Sequence, residues 1–453
     1  MLGTAGIGII GVLQSVIDIF RSTYSLGMDT AGVKEIAETG SKEDRFALDE
    51  TISRFNIWFL TMACLALLTC VFLCYPLSNW AFGSDRYASH IAALSVCIFS
   101  AILTTGRSTI LQGMRKIPEL AKTTIWGSLF GLVTTIPVYL VWGIEGIIPA
   151  FIISSFVSFL SVEYYYRKQR ITFVDLSVKK AFSSGLNTLK LGLYIVIAGI
   201  IGTVSMFLVR AFITRNIDVE ATGLFQASWV ITTVYLGLIL RAMGSDYFPR
   251  LSAIVGDRKG VRTLVNEQTY IVLVVASPVI IGIIVFSAYI LRILYSGEFM
   301  AAANLLNWQI LGSFLKIISW PVAFIMLARN KGLLFLITEI IFYTVYLFSA
   351  YLLYPKYGLD ASGIGYFAAY VVYLPMVMWA GYKIADFYWD RNIIIMVIIN
   401  AVLIIVAFFL YIFSVPYALI WSIIILCISL VYSFYKLNKV FSFNDLKSWF
   451  RKR

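Results

Sequence analysis

The sequence predicts an all-α protein that crosses a membrane many times. Of its 453 residues, 60% are hydrophobic and only 13% are charged, and the mean hydropathy is +0.86, whereas soluble domains carry about 25% charged residues. Long apolar stretches follow one another along the chain, each with the ~20 residues that a helix needs to cross ~30 Å of hydrocarbon. Lys and Arg collect in every second gap between these stretches.

The predicted spans are 4–32, 55–76, 88–112, 118–141, 145–166, 190–213, 221–245, 267–291, 301–327, 332–354, 360–383, 392–413 and 416–435. The longest gap, 167–189, is too short for a soluble catalytic or nucleotide-binding domain. Whatever the protein does must therefore happen among its helices.

The sequence argues against an enzyme, a metal site and a cofactor. It contains no phosphate-binding G-x-x-x-x-G-K-[ST] loop and no H-E-x-x-H pair. Its single histidine, His90, leaves the serine and threonine hydroxyls of the spans without a base. Its five cysteines all lie in apolar spans with no metal-ligand spacing and no disulfide framework.

The distribution of basic residues predicts the topology. Of the 36 Lys and Arg residues, 27 lie in alternate gaps, and the opposite gaps contain only Arg86, Arg215, Arg292 and Lys356. The richer side is cytoplasmic by the positive-inside rule, which also accounts for the net charge of +12 without nucleic acid. The C-terminus is then cytoplasmic, and Met1 lies outside. We therefore expect one further helix before Met1, which would give fourteen spans in all.

An internal repeat is indicated by an offset of 215 residues, which aligns Gly8 with Gly223 and Met28 with Met243. With the expected first helix, six spans precede the long basic gap, and six follow it before a terminal pair. We therefore predict two pseudo-symmetric six-helix bundles around a central cavity, plus two C-terminal helices. The predicted segments are 1–166 (the first bundle), 167–189 (a cytoplasmic linker), 190–384 (the second bundle) and 385–453 (the extra helices and a basic tail). Within the tail, residues 441–453 form an amphipathic segment that either lies on the cytoplasmic leaflet or is solvated.

Charged side chains inside the spans are the main indication of function, because an ionised group at the bilayer centre costs about 2.5 to 3.5 kcal/mol on insertion scales. In the first span, one helical stripe carries Gln14, Asp18, Arg21, Ser25 and Asp29. Later spans contain Arg210, Arg241 with Gln226 on a compatible stripe, Lys316 and Glu339. Polar residues at these positions predict a water-lined cavity.

Each of these charges also has a simpler interpretation. Asp18 and Arg21 are three residues apart and can neutralise each other. Arg210 and Arg241 can extend to the membrane surface, and Glu339 can hydrogen-bond to a neighbouring helix. Lys316 has no acidic neighbour at helical spacing, so it needs water or an anionic ligand. Several cations facing one cavity would favour an anionic substrate such as a diphosphate.

The sequence resembles the Wzx-type O-antigen flippases of the multidrug/oligosaccharidyl-lipid/polysaccharide exporter superfamily. The similar segments are 2–8 (LGTAGIG), 26–27 (LG), 32–38 (GVKEIAE), 223–227 (GLFQA) and 246–252 (DYFPRLS). The resemblance implies alternating access, with coupling to H⁺ or Na⁺. Two features depart from the family pattern: the chain begins at the family's second helix, and two spans follow the twelfth. Lipid II flippases share the larger helix count.

We therefore expect a flippase for undecaprenyl-diphosphate-linked oligosaccharide units of O-antigen or a related surface polysaccharide, in the bacterial inner membrane. The expected substrate-binding residues are Gln14, Arg21, Arg210, Gln226, Arg241 and Lys316, and the ion-coupling candidates are Asp18 and Glu339. Expected partners are the lipid-linked oligosaccharide, membrane lipid, a polysaccharide polymerase and a chain-length regulator. The alternatives are a lipid II-type flippase, a multidrug cation antiporter or a membrane-embedded glycan enzyme. The antiporter should have a cavity rich in acidic residues, and the enzyme should have a large external loop.

Overall fold

The computed structural model describes residues 2–25, 27–40, 44–169, 171–172, 174, 193–235, several positions between 237 and 254, 256–413 and 416–440. Regular structure in these ranges is helical, with no strand. The helices are α1 (Gly3–Ser25), α2 (Met28–Gly40), α3 (Arg45–Phe72), α4 (Cys74–Phe82), α5 (Ala88–Gly113), α6 (Ile117–Trp142), α7 (Ile147–Arg167), α8 (Leu193–Asn216), α9 (Val219–Val230), α10 (Arg258–Leu294), α11 (Ala303–Ala328), α12 (Gly332–Tyr357), α13 (Asp360–Ala385), α14 (Arg391–Ile412) and α15 (Ala418–Val440).

The predicted all-α, multi-pass membrane fold is confirmed. In the described part of the chain, eleven helical stretches are long and apolar enough to cross a membrane, and one of them, Ile117–Arg167, contains the two predicted spans 118–141 and 145–166. Many apolar side chains face outward, including Leu132 and Val133 of α6 and Val402 of α14. A helix that is apolar on its exposed face is suited to lipid. The predicted span 221–245 is described without interruption only as far as Tyr235, where five residues of π-helix, Ile231–Tyr235, follow α9.

The predicted first span, 4–32, is interrupted. The chain turns at Gly27, which has φ +70°, and a Cβ built there would lie 2.1 Å from Cγ2 of Val196. Only glycine combines that backbone conformation with so little space. The helical spacing of the polar stripe continues from α1 to Asp29 in α2, so the sequence pattern shows no interruption at Gly27. Hydropathy alone could therefore not locate the turn.

Two helical hairpins use one type of turn. The α6–α7 connection begins at Gly143 with φ +54°, and the α12–α13 connection begins at Gly358 with φ +53°. Glycine is favoured where a helix ends in the left-handed region. These turns hold α6 against α7 and α12 against α13.

The chain divides into two compact units, Met1–Gly223 and Leu224–Arg453. In the first unit, α3 packs on α5, α5 on α7, and α8 on α1. In the second unit, α11 is the central helix and packs against α10 and α13. The predicted linker at 167–189 lies mostly outside the described residues, as do Arg241 and the amphipathic segment 441–453. The predicted domain boundaries and the arrangement of bundles about a central cavity stay predictions.

Gly8 of α1 and Gly223 of α9 lie where the backbones of these two helices are in direct contact within the first unit. A Cβ on Gly8 would lie 1.9 Å from the carbonyl oxygen of Val219, and a Cβ on Gly223 would lie 1.8 Å from that of Thr4. Gly8 pairs with Gly223, and Thr4 with Val219, at the same offset of 215 residues, so the contact is reciprocal. Small residues commonly permit such contacts between membrane helices. The internal repeat itself stays a prediction.

Candidate functional site

A polar cavity of about 710 Å³ lies within the first unit, a size typical of small-ligand sites. It is formed by α1, α2, α5 and α7. Its lining residues are Gln14, Ile17, Arg21, Asp29, Val33, Ala101, Thr104, Thr105, Ser108, Thr109, Gln112, Phe151, Ser154, Ser155 and Ser158. Gln14, Arg21 and Asp29 belong to the stripe predicted from the first span. Their side chains avoid the hydrocarbon because they face this cavity.

Arg21 and Asp18 form an ion pair at the cavity wall. The Arg21 Nη2 lies 3.2 Å from Asp18 Oδ1, and Gln14 Nε2 donates to the same oxygen at 3.1 Å. The pairing that the i, i+3 spacing allowed therefore forms. The Arg21 side chain remains 48% exposed, and because a guanidinium has five N–H donors, it can still donate to a ligand in the cavity.

A smaller recess of about 360 Å³ adjoins this cavity between α1, α5 and α8. Arg21, Asp29 and Thr105 line both spaces. Ser25, the remaining member of the predicted stripe, lines the recess, and its hydroxyl donates to the Arg21 carbonyl at 2.7 Å. Arg21 is therefore accessible from two sides.

Arg210 has a different environment from the one predicted. Its side chain is buried in α8, and Nη1 donates to Ser15 Oγ of α1 at 2.8 Å. Ser15 in turn donates to the Gly11 carbonyl at 2.8 Å. Arg210 does not line the cavity; it joins α8 to α1. Its role in substrate binding stays a prediction, and this contact requires neither cavity water nor extension to the membrane surface.

Lys316 of α11 and Glu339 of α12 both lie in the second unit. Their charges are close enough to interact, and Tyr373 Oη donates to Glu339 Oε1 at 2.9 Å. Tyr370 packs beside Tyr373 with ring centroids 5.7 Å apart. Helical spacing around Lys316 predicted no acidic neighbour, because the nearby carboxylate is that of Glu339, which belongs to another helix. Gln226 lies on α9, partly exposed.

A polar network that the sequence did not reveal joins α3, α5 and α7. Arg107 Nε donates to Glu163 Oε2 at 2.7 Å, and Arg167 Nε donates to Glu163 Oε1 at 2.8 Å. The Arg107 guanidinium also donates to Asn56 and lies 4.2 Å from the Tyr166 ring centroid. Arg107 and Glu163 lie on different helices and are 56 residues apart in sequence, so no local sequence pattern connects them. The network pairs one carboxylate with two guanidinium groups and joins α3, α5 and α7 beside the cavity.

The sequence did not predict the hydroxyl groups that line the cavity, since a single Ser or Thr in a membrane span carries little information about function. Their spacing contains the signal: Thr104, Thr105, Ser108 and Gln112 recur along one face of α5, and the serines of α7 recur at 154, 155 and 158. We call these α5 and α7 residues, together with Thr109, the hydroxyl wall.

Comparison with known proteins identifies the family. The profile of the family described as "Polysaccharide biosynthesis protein" matches residues 1–304, more than half of the chain. The chain belongs to this polysaccharide biosynthesis protein family. Its similarity to the lipid III flippase of Escherichia coli (strain K12) is 21% identity over 382 residues, covering 83% of this chain and 89% of that protein.

Two solved structures share the fold. An inward-facing multidrug resistance MATE family transporter of the MOP superfamily has a TM-score of 0.72 at 18% identity and covers 85% of this chain and 92% of its own. The lipid II flippase MurJ, in an inward closed conformation, has a TM-score of 0.68 at 15% identity over 96% of this chain and 97% of its own. The resemblance to Wzx-type flippases is confirmed at the family level, and the protein is a membrane transporter, not an enzyme.

Proposed function

We propose that the protein is a flippase that moves undecaprenyl-diphosphate-linked oligosaccharide units, of O-antigen or a related surface polysaccharide, from the cytoplasmic to the outer face of the bacterial inner membrane. The observation that supports this most is the polar cavity of the first unit, which offers hydroxyl, amide and guanidinium groups inside a helical bundle suited to lipid. A lipid-linked glycan needs such a polar space to cross hydrocarbon, because unsatisfied polar groups there cost several kcal/mol each.

In this proposal, Arg21 binds the diphosphate. It is half exposed, lines both spaces and has further N–H donors besides those of Nη2, which pairs with Asp18. Charge-assisted hydrogen bonds to phosphate are each worth about 1.5 to 3 kcal/mol, so losing one should weaken binding about 10- to 150-fold. Arg21→Gln should therefore reduce the affinity for undecaprenyl diphosphate by at least about 10-fold, while Arg292→Gln, at an exposed helix end, should not.

Ion coupling is assigned to Glu339. Its carboxylate accepts a hydrogen bond from the Tyr373 hydroxyl of α13, so a change in its protonation would alter how α12 and α13 are joined. Asp18 is the second candidate, and its ion pair with Arg21 connects it to the cavity. Transport into proteoliposomes with H⁺ or Na⁺ gradients, using Glu339→Gln and Asp18→Asn, distinguishes the two.

The proposal is tested by reconstituting the protein into proteoliposomes with undecaprenyl-diphosphate-linked N-acetylglucosamine and measuring which leaflet contains the sugar with membrane-impermeant periodate. We expect translocation that depends on the protein and falls with Arg21→Gln. Export of a cationic dye without movement of the lipid-linked sugar would instead support the multidrug antiporter. Preferential transport of lipid II would support the lipid II-type alternative.

A further inference from the structure

We propose that the hydroxyl wall of α5 and α7 is the sugar subsite of the cavity, and that it selects uncharged sugars joined to the diphosphate. This inference rests on the proposed function and adds to it the chemical class of the first sugar. It divides the cavity into two parts: Arg21 binds the diphosphate, and the wall binds the sugar.

Charge supports this division. Among the residues that line the cavity, Arg21 and Asp29 are the charged ones, and both come from the α1–α2 side. The wall contributes only neutral groups. A carboxylated sugar placed there would exchange water for hydroxyls without gaining a cation, which is unfavourable for a charge, whereas a neutral sugar would exchange one set of hydrogen bonds for another.

The hydrogen bonds of the wall are also suited to a polyol. Thr104, Thr105 and Thr109 donate their hydroxyl protons to carbonyls of their own helix at 2.8, 3.0 and 2.9 Å. Their oxygen lone pairs therefore remain as acceptors toward the cavity. Ser108 and Ser158, in the described part of the chain, have no such bond to their own helix and can donate as well as accept. Sugar hydroxyls and an N-acetyl amide need both kinds of partner.

The cavity also provides an apolar surface beside the wall. Phe151 of α7 and Ile17 of α1 both line it. A sugar ring has an apolar C–H face and a polar rim, so an aromatic ring next to a row of hydroxyls complements both surfaces.

The wall is continuous with the Arg21 site. Thr105 lines both the large cavity and the recess, as Arg21 and Asp29 do. A diphosphate held by Arg21 would therefore place the sugar attached to it against α5. Because the wall adjoins the diphosphate site, the sugar that it contacts is the one attached directly to the diphosphate.

The test compares a triple variant of the wall with a double control variant. The wall variant Thr104→Val/Thr105→Val/Ser108→Ala removes three hydroxyls with little change in shape. The control Thr134→Val/Ser161→Ala removes hydroxyls from α6 and α7 at a separate, mainly apolar groove between these two helices. Thr134 donates to the Phe130 carbonyl at 2.7 Å, as the wall threonines do to theirs, so the control reproduces the same local bond. Thermal unfolding of each purified variant establishes that it is folded.

Affinity is measured in detergent for undecaprenyl diphosphate, for its N-acetylglucosamine conjugate and for its glucuronic acid conjugate. Since each neutral hydrogen bond is worth roughly 2- to 10-fold in affinity, wild type should bind the N-acetylglucosamine conjugate at least about 10-fold more tightly than the bare diphosphate. The wall variant should lose that difference while its affinity for bare diphosphate stays within about twofold. The control should behave as wild type, and glucuronic acid should add no affinity.

The outcomes separate this inference from the proposed function. A sugar preference that persists in the wall variant, or an equal gain from glucuronic acid, overturns the sugar subsite while leaving a flippase. If wild type binds bare diphosphate but the sugar adds nothing, the subsite is again wrong. If wild type binds none of the three lipids saturably, the proposed function fails together with it. Single Thr104→Val and Ser108→Ala variants provide the same readout should the triple variant unfold.

Discussion

The Gly8–Gly223 crossing allows a quantitative prediction. A methyl group on Gly8 would lie 1.9 Å from the Val219 carbonyl oxygen, and real Cβ contacts are essentially never below 3.0 Å, so α1 and α9 must separate by about 1.1 Å. The obstacle is backbone, which cannot rotate away as a side chain can. Overpacking of this kind costs about 1 to 3 kcal/mol, which exceeds the gain of about 0.5 to 1 kcal/mol from replacing a helical glycine by alanine.

Gly8→Ala should therefore lower the Tm of the purified protein in detergent by about 2 to 6 °C, using the sensitivity of a domain of this size. Gly223→Ala should do the same, because its methyl would lie 1.8 Å from the Thr4 carbonyl oxygen. The double variant should cost less than the sum of the two, since one displacement of the helices relieves both contacts. Thermal unfolding of the four proteins, followed by a thiol-reactive or intrinsic fluorophore, gives the complete cycle.

Gly199→Ala on α8 is the matched control, because a Cβ built there meets nothing within 4 Å. Its Tm should be unchanged or raised. A Tm for Gly8→Ala at or above that of wild type, or full additivity in the double variant, would refute the close reciprocal crossing.

Three further predictions concern other contacts. Arg107→Met should destabilise the protein by about 2 kcal/mol, because it removes a partly buried ion pair and leaves Glu163 with an exposed arginine; urea or thermal unfolding measures the loss. Lys316→Ala and Lys316→Glu should abolish transport, and the exchange Lys316→Glu/Glu339→Lys should restore part of it, as counted in the leaflet assay. Gly27→Ala should lower the Tm more than Gly83→Ala does, since both glycines have positive φ but only Gly27 has a neighbour, at 2.1 Å.

Each of these has its own contrary result. Arg292→Met, at an exposed site, is the control for Arg107, and an equal effect of the two would remove the special role of the network. Normal transport by Lys316→Ala would eliminate it as a cation of the mechanism. If Gly83→Ala is as harmful as Gly27→Ala, backbone strain alone explains both, at about 1 to 2 kcal/mol.

Hydropathy predicted the helices well because each span is long enough that local errors do not matter. The helix α10 shows the limit of hydropathy as a predictor. It begins at Arg258, nine residues before the predicted start at 267. The prediction missed these first turns because their residues are polar. There Arg258 pairs with Asp386 and Arg262 with Asp390, and these acids are more than 120 residues away in sequence. Hydropathy detects the apolar part of a helix and not the polar end that tertiary contacts extend.

The candidate site was predicted in part for a similar reason. The stripe of Gln14, Arg21 and Asp29 follows from helical spacing within one element, and the structure places it on the cavity. The partners of Arg210 and Lys316 come from other helices, so spacing along the chain could not provide them. The hydroxyl wall is also local, but its members are common residues whose pattern becomes informative only when α5 and α7 are seen to face the same space.

The central claim is that the polar head of the transported lipid occupies the cavity of the first unit. The most direct measurement uses an undecaprenyl-diphosphate-linked N-acetylglucosamine carrying a diazirine on the sugar, photolysed in proteoliposomes during transport, with the modified peptides identified by mass spectrometry. We expect labelling on α5 between Thr104 and Gln112 and on α7 between Ser154 and Ser158, and we expect unlabelled lipid to compete with it. Labelling confined to the second unit around Lys316 and Glu339, with none on α5 or α7, would contradict the claim.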